Sequence, residues 1–202
     1  MGEFRQLDEQ LIYQGHVMAV VKGTFETPDG GRFTRDIIRH PGAVGVVPVL
    51  RAGPAPGAAA GGSAALTVLM VRQYRPVFDA PLLEIPAGTR DVAGESPEAT
   101  ARRELAEEIG ATAEHLHHLA TYAVAPGVSD EQMHLYLATG LTLGDSQADG
   151  PEEQHMTTEQ IRLADTPELI ASGRISDAKS IIGLLLAQAQ LADVGDLGDV
   201  GS

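Results

Sequence analysis

The chain contains no cysteine. Disulfides, thiolate nucleophiles and thiolate metal sites are thereby excluded, and a cytoplasmic setting is the expectation. It has no apolar run near the roughly 20 residues that a membrane-spanning helix needs, so no membrane partner is expected. Its first residues, Met1-Gly2-Glu3-Phe4-Arg5, do not follow the pattern of a secretory signal. Positive charge is scarce: 14 Lys and Arg stand against 28 Asp and Glu, a formal net charge of −14. Nucleic-acid binding relies on basic side chains to neutralise phosphates, so DNA and RNA are disfavoured as partners. A small phosphorylated substrate stays compatible with an acidic protein, because a bound cation inverts the local charge. No internal repeat is visible.

What remains is a chain of 202 residues, 43% of them apolar, enough for one domain with a real core and modest additions. Leu11 to Tyr13, His16 to Phe25 and Phe33 to Arg39 read as strands, with Pro28-Asp29-Gly30-Gly31 as a turn between two of them. They predict an N-terminal antiparallel sheet over 1–41. Ala43 to Leu50 is almost unbroken apolar sequence and reads as a buried strand, as does Ala65 to Gln73. The Gly/Ala/Pro-rich stretch from Arg51 to Ala64 has little to bury and reads as a surface loop. Leu116 to Ala123 and Met133 to Ala138 are further strands, and His155 to Leu163 leans the same way. Pro167 to Ala171 and Ser176 to Leu191 read as helices. A catalytic unit over 42–192 and an acidic, frayed tail over 193–202 follow. The expected fold is α+β or mixed α/β, a mixed sheet sandwiched by helices with the antiparallel sheet beside it.

The sharpest chemistry lies on a helix over Glu98 to Ile109. Ser96 suits its N-cap, Pro97 its first position and Gly110 its end. At 100° per residue, Ala101, Leu105 and Ile109 share one arc. Glu104 and Glu108 stand one turn apart on a neighbouring arc, with Glu107 beside them. Carboxylates at that spacing repel by a few tenths of a kcal/mol. A divalent cation between them reverses the sign, and Mg²⁺ is a hard ion commonly held by one or two carboxylates plus substrate phosphates. On spacing alone, a solvated helix face with salt bridges is the better explanation of the pair, because Glu residues four apart are common on surface helices.

The longer pattern separates these readings. Gly88-Thr89-Arg90-Asp91-Val92-Ala93-Gly94-Glu95 is followed, seven residues later, by Arg103-Glu104-Leu105-Ala106-Glu107-Glu108-Ile109-Gly110-Ala111. This resembles the box of the Nudix hydrolases. The back half matches at every specified position but the last, where Ala111 replaces a larger apolar residue. The front half has six residues between Gly88 and Glu95 rather than the usual five, a departure that resembles bacterial ADP-ribose pyrophosphatases. The resemblance implies a loop–helix–loop in which Glu104 and Glu108 bind Mg²⁺ or Mn²⁺, with Glu107 close by and the Ala87 carbonyl as a further ligand. It implies that Arg103 orients the acids through ion pairing, with Glu95 as its partner.

The same subfamily is similar in Gln73-Tyr74-Arg75, ten residues ahead of Ile85-Pro86-Ala87-Gly88. The guanidinium of Arg75 suits a diphosphate. Glu84 interrupts an apolar run and needs a partner if buried. The resemblance points it at the adenine or ribose end of a nucleoside diphosphate sugar, while a structural ion pair is the simpler alternative. In Ala125-Pro126-Gly127-Val128-Ser129-Asp130-Glu131, Pro126 falls where ADP-ribose-cleaving members carry a marker proline, and Ser129 is a candidate substrate contact beside it. In Gly150-Pro151-Glu152-Glu153, Glu153 matches the loop glutamate that serves as general base, with Glu152 as the alternative. The resemblance also implies a homodimer that exchanges its N-terminal strands, and Arg35 and Arg39 as substrate contacts. His115, His117 and His118 lack a fixed ligand set and read as surface or pairing residues. The expected activity is hydrolysis of the ADP-ribose pyrophosphate bond. GDP-mannose, NADH or a dinucleoside polyphosphate are alternative substrates, and a non-catalytic nucleotide-sugar sensor is the alternative of a different class.

Overall fold

A strand that is apolar at nearly every position must be covered on both faces, and Ala43–Arg51 (β4) is such a strand. The computed structural model describes residues 2–51, 65–144 and 155–195. In it, Val44 and Val46 face one layer, whereas Ala43, Val47 and Val49 face the other. The same alternation runs through Leu66–Arg75 (β5) and Gln132–Leu143 (β9). Leu69, Val71, Tyr136 and Ala138 join the first layer, and Val68, Met70, Leu135 and Leu137 join the second.

The first layer is closed by Pro97–Ile109 (α1), through Ala101, Leu105 and Ile109, the arc expected from its sequence. The second is closed by Ala178–Gly195 (α3), through Leu184 and Ala187, with Ile175 just ahead of it. A short helix, Thr166–Ala171 (α2), lies between Thr157–Arg162 (β10) and α3. The result is an α/β/α sandwich around one mixed sheet in the order β10-β5-β4-β9-β8, where β8 is Ala111–Ala123. Strands β4 and β9 run parallel and the other neighbours antiparallel.

Two short strands, Ala80–Glu84 (β6) and Ala87–Thr89 (β7), are not apparent in the sequence. They matter because β4 has only two edges. Strand β9 occupies one of them along Ala43 to Pro48. The other edge is shared: β5 pairs with Val49 to Arg51, and β7 pairs with Ala43 to Gly45. The chain from β6 to β7 therefore passes where β5 leaves β4, and Pro86 anchors it by accepting a 2.9 Å hydrogen bond from the Val46 N–H.

The N-terminal region forms the expected separate antiparallel sheet from Arg5–Gln14 (β1), Ala19–Glu26 (β2) and Arg32–Arg39 (β3). Among the described residues, backbone hydrogen bonds stitch it to the sandwich at Ile38. The Ile38 N–H donates to the Val128 carbonyl (2.8 Å), and the Asp130 N–H donates to the Ile38 carbonyl (3.2 Å). Strand β10 bears out the strand reading of His155 to Leu163 only from Thr157 to Arg162: His155 lies in a 3₁₀ turn ahead of it, and Leu163 opens the 3₁₀ helix Leu163–Asp165. Strand β8 begins at Ala111, earlier than Leu116, because it pairs with β9 along its whole length. Helix α3 runs to Gly195, past Leu191.

Adjacent leucines on α3 point to opposite environments: Leu184 is fully buried and Leu185 is half exposed. Leu184→Ala is expected to cost about 2–5 kcal/mol of stability, as for other buried leucines. Leu185→Ala is expected to stay within about 0.5 kcal/mol of the wild type. Urea denaturation midpoints measure both; similar values for the two would contradict the placement of α3.

Candidate active site

Helix α1 begins at Ser96, whose Oγ accepts from the Ala99 N–H at 3.2 Å. It ends at Gly110, which takes the left-handed conformation (φ 62°) that favours glycine. These caps set the rotation of the helix. With its apolar arc packed on the sheet, Glu104 and Glu108 are carried inward, and each is only 6% exposed. Strand β7 meets them there. The Ala87 N–H donates to Glu108 Oε2 at 3.1 Å. A Cβ on Gly88 would stand 2.0 Å from the Glu104 carboxyl carbon, so only glycine leaves that carboxylate its place.

Arg103 binds the acidic cluster together. Its Nη1 lies 2.9 Å from Glu104 Oε1 and 3.0 Å from Glu107 Oε2. Its Nη2 lies 3.4 Å from Glu95 Oε2 and 3.5 Å from Asp91 Oδ1. Burial works against its charge, but Glu95, Glu104 and Glu107 outweigh it and hold the guanidinium more firmly protonated than usual. Glu95 is fixed in turn by the Thr100 hydroxyl, which donates to it at 2.9 Å. Burial raises the Glu95 pKa, but Thr100 and Arg103 prevail and lower it. The loop Gly88 to Glu95 is thus tied to the helix by the ion pair expected from the sequence.

A second charged chain runs beside the first. Arg75 grips Glu84 with both arms of its fork, Nε to Oε1 at 2.8 Å and Nη2 to Oε2 at 2.7 Å. Glu84 is 2% exposed and also accepts from the Lys179 ammonium. Lys179 reaches onward to Asp177 Oδ2 at 2.9 Å. Burial pushes the Glu84 carboxyl pKa up, yet Arg75 and Lys179 more than offset this and hold it below its ordinary value. Glu84 is therefore the centre of a buried ion pair, the simpler of its two sequence readings. Removing one member of such a pair commonly costs about 3–5 kcal/mol. Lys179, Asp177 and Ser180 were not legible as site residues. They lie about 95 positions from Glu84, and a helix N-terminus rich in polar residues has no distinctive spacing.

Arg35, Arg39, Pro126 and Ser129 come together elsewhere. They line one wide pocket of about 670 Å³ between β3 and the segment joining β8 to β9, together with Phe25, Phe33 and Val128. Arg35 lies 4.8 Å from the Phe33 ring centre. Arg39 is engaged with Glu9 and, at 3.0 Å, with Asp130. A cavity of about 640 Å³ on the far end of the sheet, beside His115 and His117, contains none of the predicted site residues. The histidines behave as surface and pairing residues: His115 stands 3.6 Å from Glu114, and Thr121 bridges His118 and His134. Glu152 and Glu153 lie outside the described residues.

Residues 39–181 match the NUDIX domain. The chain belongs to this family. It is 34% identical to the ADP-ribose pyrophosphatase of Mycobacterium tuberculosis, over 93% of this chain and 84% of that one. It is 33% identical to the methanol dehydrogenase activator of Bacillus methanolicus, over 94% of this chain and 95% of that one. Its fold is that of a crystal structure of an ADP compounds hydrolase, with a TM-score of 0.78, 22% identity and coverage of 96% and 97%.

Nudix hydrolases work with divalent metal ions, and the oxygens gathered here fit one. Two carboxylates and a peptide unit converge, all hard donors, and Gly88 leaves open the space in which Glu104 sits. Among the described residues, no three acidic or imidazole side chains form a cage of their own. That donor set matches an ion that keeps waters and substrate phosphates in its shell. The Nudix loop is further secured by the Arg90 N–H, which donates to the Gly42 carbonyl at 3.0 Å.

Gly88→Ala is expected to displace the Glu104 side chain rather than unfold the protein, because the clash is with a movable carboxylate. Metal-supported turnover should fall about tenfold or more, with an almost unchanged thermal midpoint. Full activity with a folded variant would show that Glu104 can work from another position.

Proposed function

We propose that the chain hydrolyses the pyrophosphate bond of ADP-ribose, giving AMP and ribose 5-phosphate, with Mg²⁺ held by Glu104, Glu108 and the Ala87 carbonyl. The observation that carries this reading is the convergence of Glu104 and Glu108 against Ala87 and Gly88, in a chain whose relatives include an ADP-ribose pyrophosphatase. When bound, the ion supplies charge neutralisation at a diphosphate whose anionic oxygens otherwise repel a nucleophile.

The chain's own residues do the rest. Arg103 keeps Glu104 and Glu107 in register. Glu107 adds negative charge next to the metal ligands. Arg75 offers a guanidinium to the diphosphate. Glu153, with Glu152 as the alternative, accepts the proton of the water that attacks phosphorus in line; this role rests on the sequence resemblance alone. The pocket of Arg35, Arg39, Pro126 and Ser129 takes the nucleoside end, where Phe25 and Phe33 offer flat apolar surface.

The N-terminal sheet supports a homodimer. Leu11, Ile12 and Tyr13 on β1 are each more than half exposed, and a small sheet alone is marginally stable. A cytoplasmic location is part of the same reading, as is the division into 1–41, 42–192 and 193–202. GDP-mannose, NADH and dinucleoside polyphosphates are the competing substrates. A non-catalytic sensor is disfavoured because every acid of the Nudix box is present.

Product analysis with ADP-ribose in ¹⁸O-labelled water tests substrate and attack site together. AMP and ribose 5-phosphate with label in one of them are expected; no cleavage of ADP-ribose, with cleavage of another nucleotide, would reassign the substrate. Glu104→Gln and Glu108→Gln should each lower turnover by about 100-fold or more, since even the outer partners of metal ligands contribute 10–100-fold. Near-normal activity in both, in folded protein, would refute the metal assignment. Sedimentation of the active species should give a dimer, and a stable active monomer would contradict that part of the reading.

A further inference from the structure

Four charges of alternating sign stand in a row: Asp177, Lys179, Glu84 and Arg75. Their contacts are all at ion-pair distance. The two cations are not equivalent. The Lys179 side chain is 12% exposed and lies between two carboxylates. The Arg75 side chain is 36% exposed, ends the row, and feels the negative charge of Glu108. Glu84 thus has a buried counter-ion on one side and a more open one, next to the acidic helix, on the other.

The backbone around the lysine is also tied down. The Ile85 N–H donates to Ser180 Oγ at 2.8 Å, and the Ser180 N–H donates to Asp177 Oδ2 at 3.1 Å. The first turn of α3 is in this way bolted to the backbone that leads from Glu84 to Ala87. The backbone from which Lys179 extends is thus fixed relative to Glu84.

We propose that Lys179 is a positioning residue that neutralises the buried Glu84 and so leaves the charge of Arg75 available to the substrate diphosphate. A buried carboxylate requires a counter-ion. If Arg75 alone supplied it, any pull of a phosphate on the guanidinium would be opposed by the exposure of an uncompensated Glu84. With Lys179 in place, Glu84 stays compensated whether Arg75 turns its fork to the phosphate or only lends it the N–H groups that Glu84 does not use. Asp177 keeps the lysine at its station and caps α3. This rests on the reading of Arg75 as a diphosphate contact.

The test is a double-mutant cycle read by titration calorimetry with methylenediphosphonate, a diphosphate that cannot be hydrolysed, in Mg²⁺ buffer. Lys179→Met should weaken binding about tenfold, the scale of one lost charge-assisted contact. Lys179→Arg should recover most of that. In a Glu84→Gln background, where no carboxylate competes for Arg75, Lys179→Met should change binding less than about threefold. With ADP-ribose as substrate, Lys179→Met should raise KM and leave kcat nearly unchanged. An equal loss in both Glu84 backgrounds, or unaltered affinity in a folded Lys179→Met chain, overturns the proposal. Should Lys179→Met not fold, Lys179→Gln gives the same comparison while keeping a donor for both carboxylates. Because the diphosphonate cycle needs no turnover, it remains decisive if the wild type proves not to cleave ADP-ribose.

Discussion

Mutual repulsion of carboxylates gathered in one loop and along one helix is the constraint to which the rest of this structure answers. Asp91, Glu95, Glu104 and Glu107 all lie within about 3.5 Å of one guanidinium, and Glu108 stands one turn on. Left in water these groups would spread apart. Here they are held by a helix capped at both ends, by an apolar arc that leaves α1 one orientation on the sheet, and by Arg103. Each device has a distinct physical basis, and they converge on one outcome: Glu104 and Glu108 are turned inward against β7. Burying acids in this way is costly unless opposite charge or a hydrogen-bond donor stands beside them, and Arg103 stands beside Glu104 and the Ala87 N–H beside Glu108.

The sheet contributes the other half. By dividing one edge of β4 between β5 and β7, it opens a gap that the chain from Glu84 to Ala87 crosses. The crossing is held on one side by Val46 and on the other by Ser180 of α3. Helix α3 thereby helps to set the position of the strand that faces the acids, although it lies on the opposite face of the sheet from α1. The two charged systems, one centred on Arg103 and one on Glu84, meet at this crossing.

Much of this was legible beforehand where the cause is local. Ser96, Pro97 and Gly110 specify the ends of α1 by capping chemistry, and the arc of Ala101, Leu105 and Ile109 specifies its buried face. The apolar run of β4 announced burial on both sides. The pairing of Arg103 with Glu95 followed from the resemblance and is present. Strands β6 and β7 were not legible, because segments of five and three residues have little periodicity and owe their conformation to partners far along the chain. Lys179, Asp177 and Ser180 went unnoticed for the same reason. Glu84 kept two readings until its neighbours were seen, since a lone acid in an apolar run says only that it needs a partner.

By itself, then, the sequence determined which helix carries the acids and which of its faces is buried. Those properties depend on spacing within a few residues, and spacing is written in the chain. Only the tertiary structure decided that Gly88 faces Glu104, that Glu84 binds two cations at once, and that Arg35 and Arg39 share a pocket with Pro126 and Ser129. Such pairings join residues from nine to 95 positions apart, and they are selected by how the layers pack rather than by any local preference.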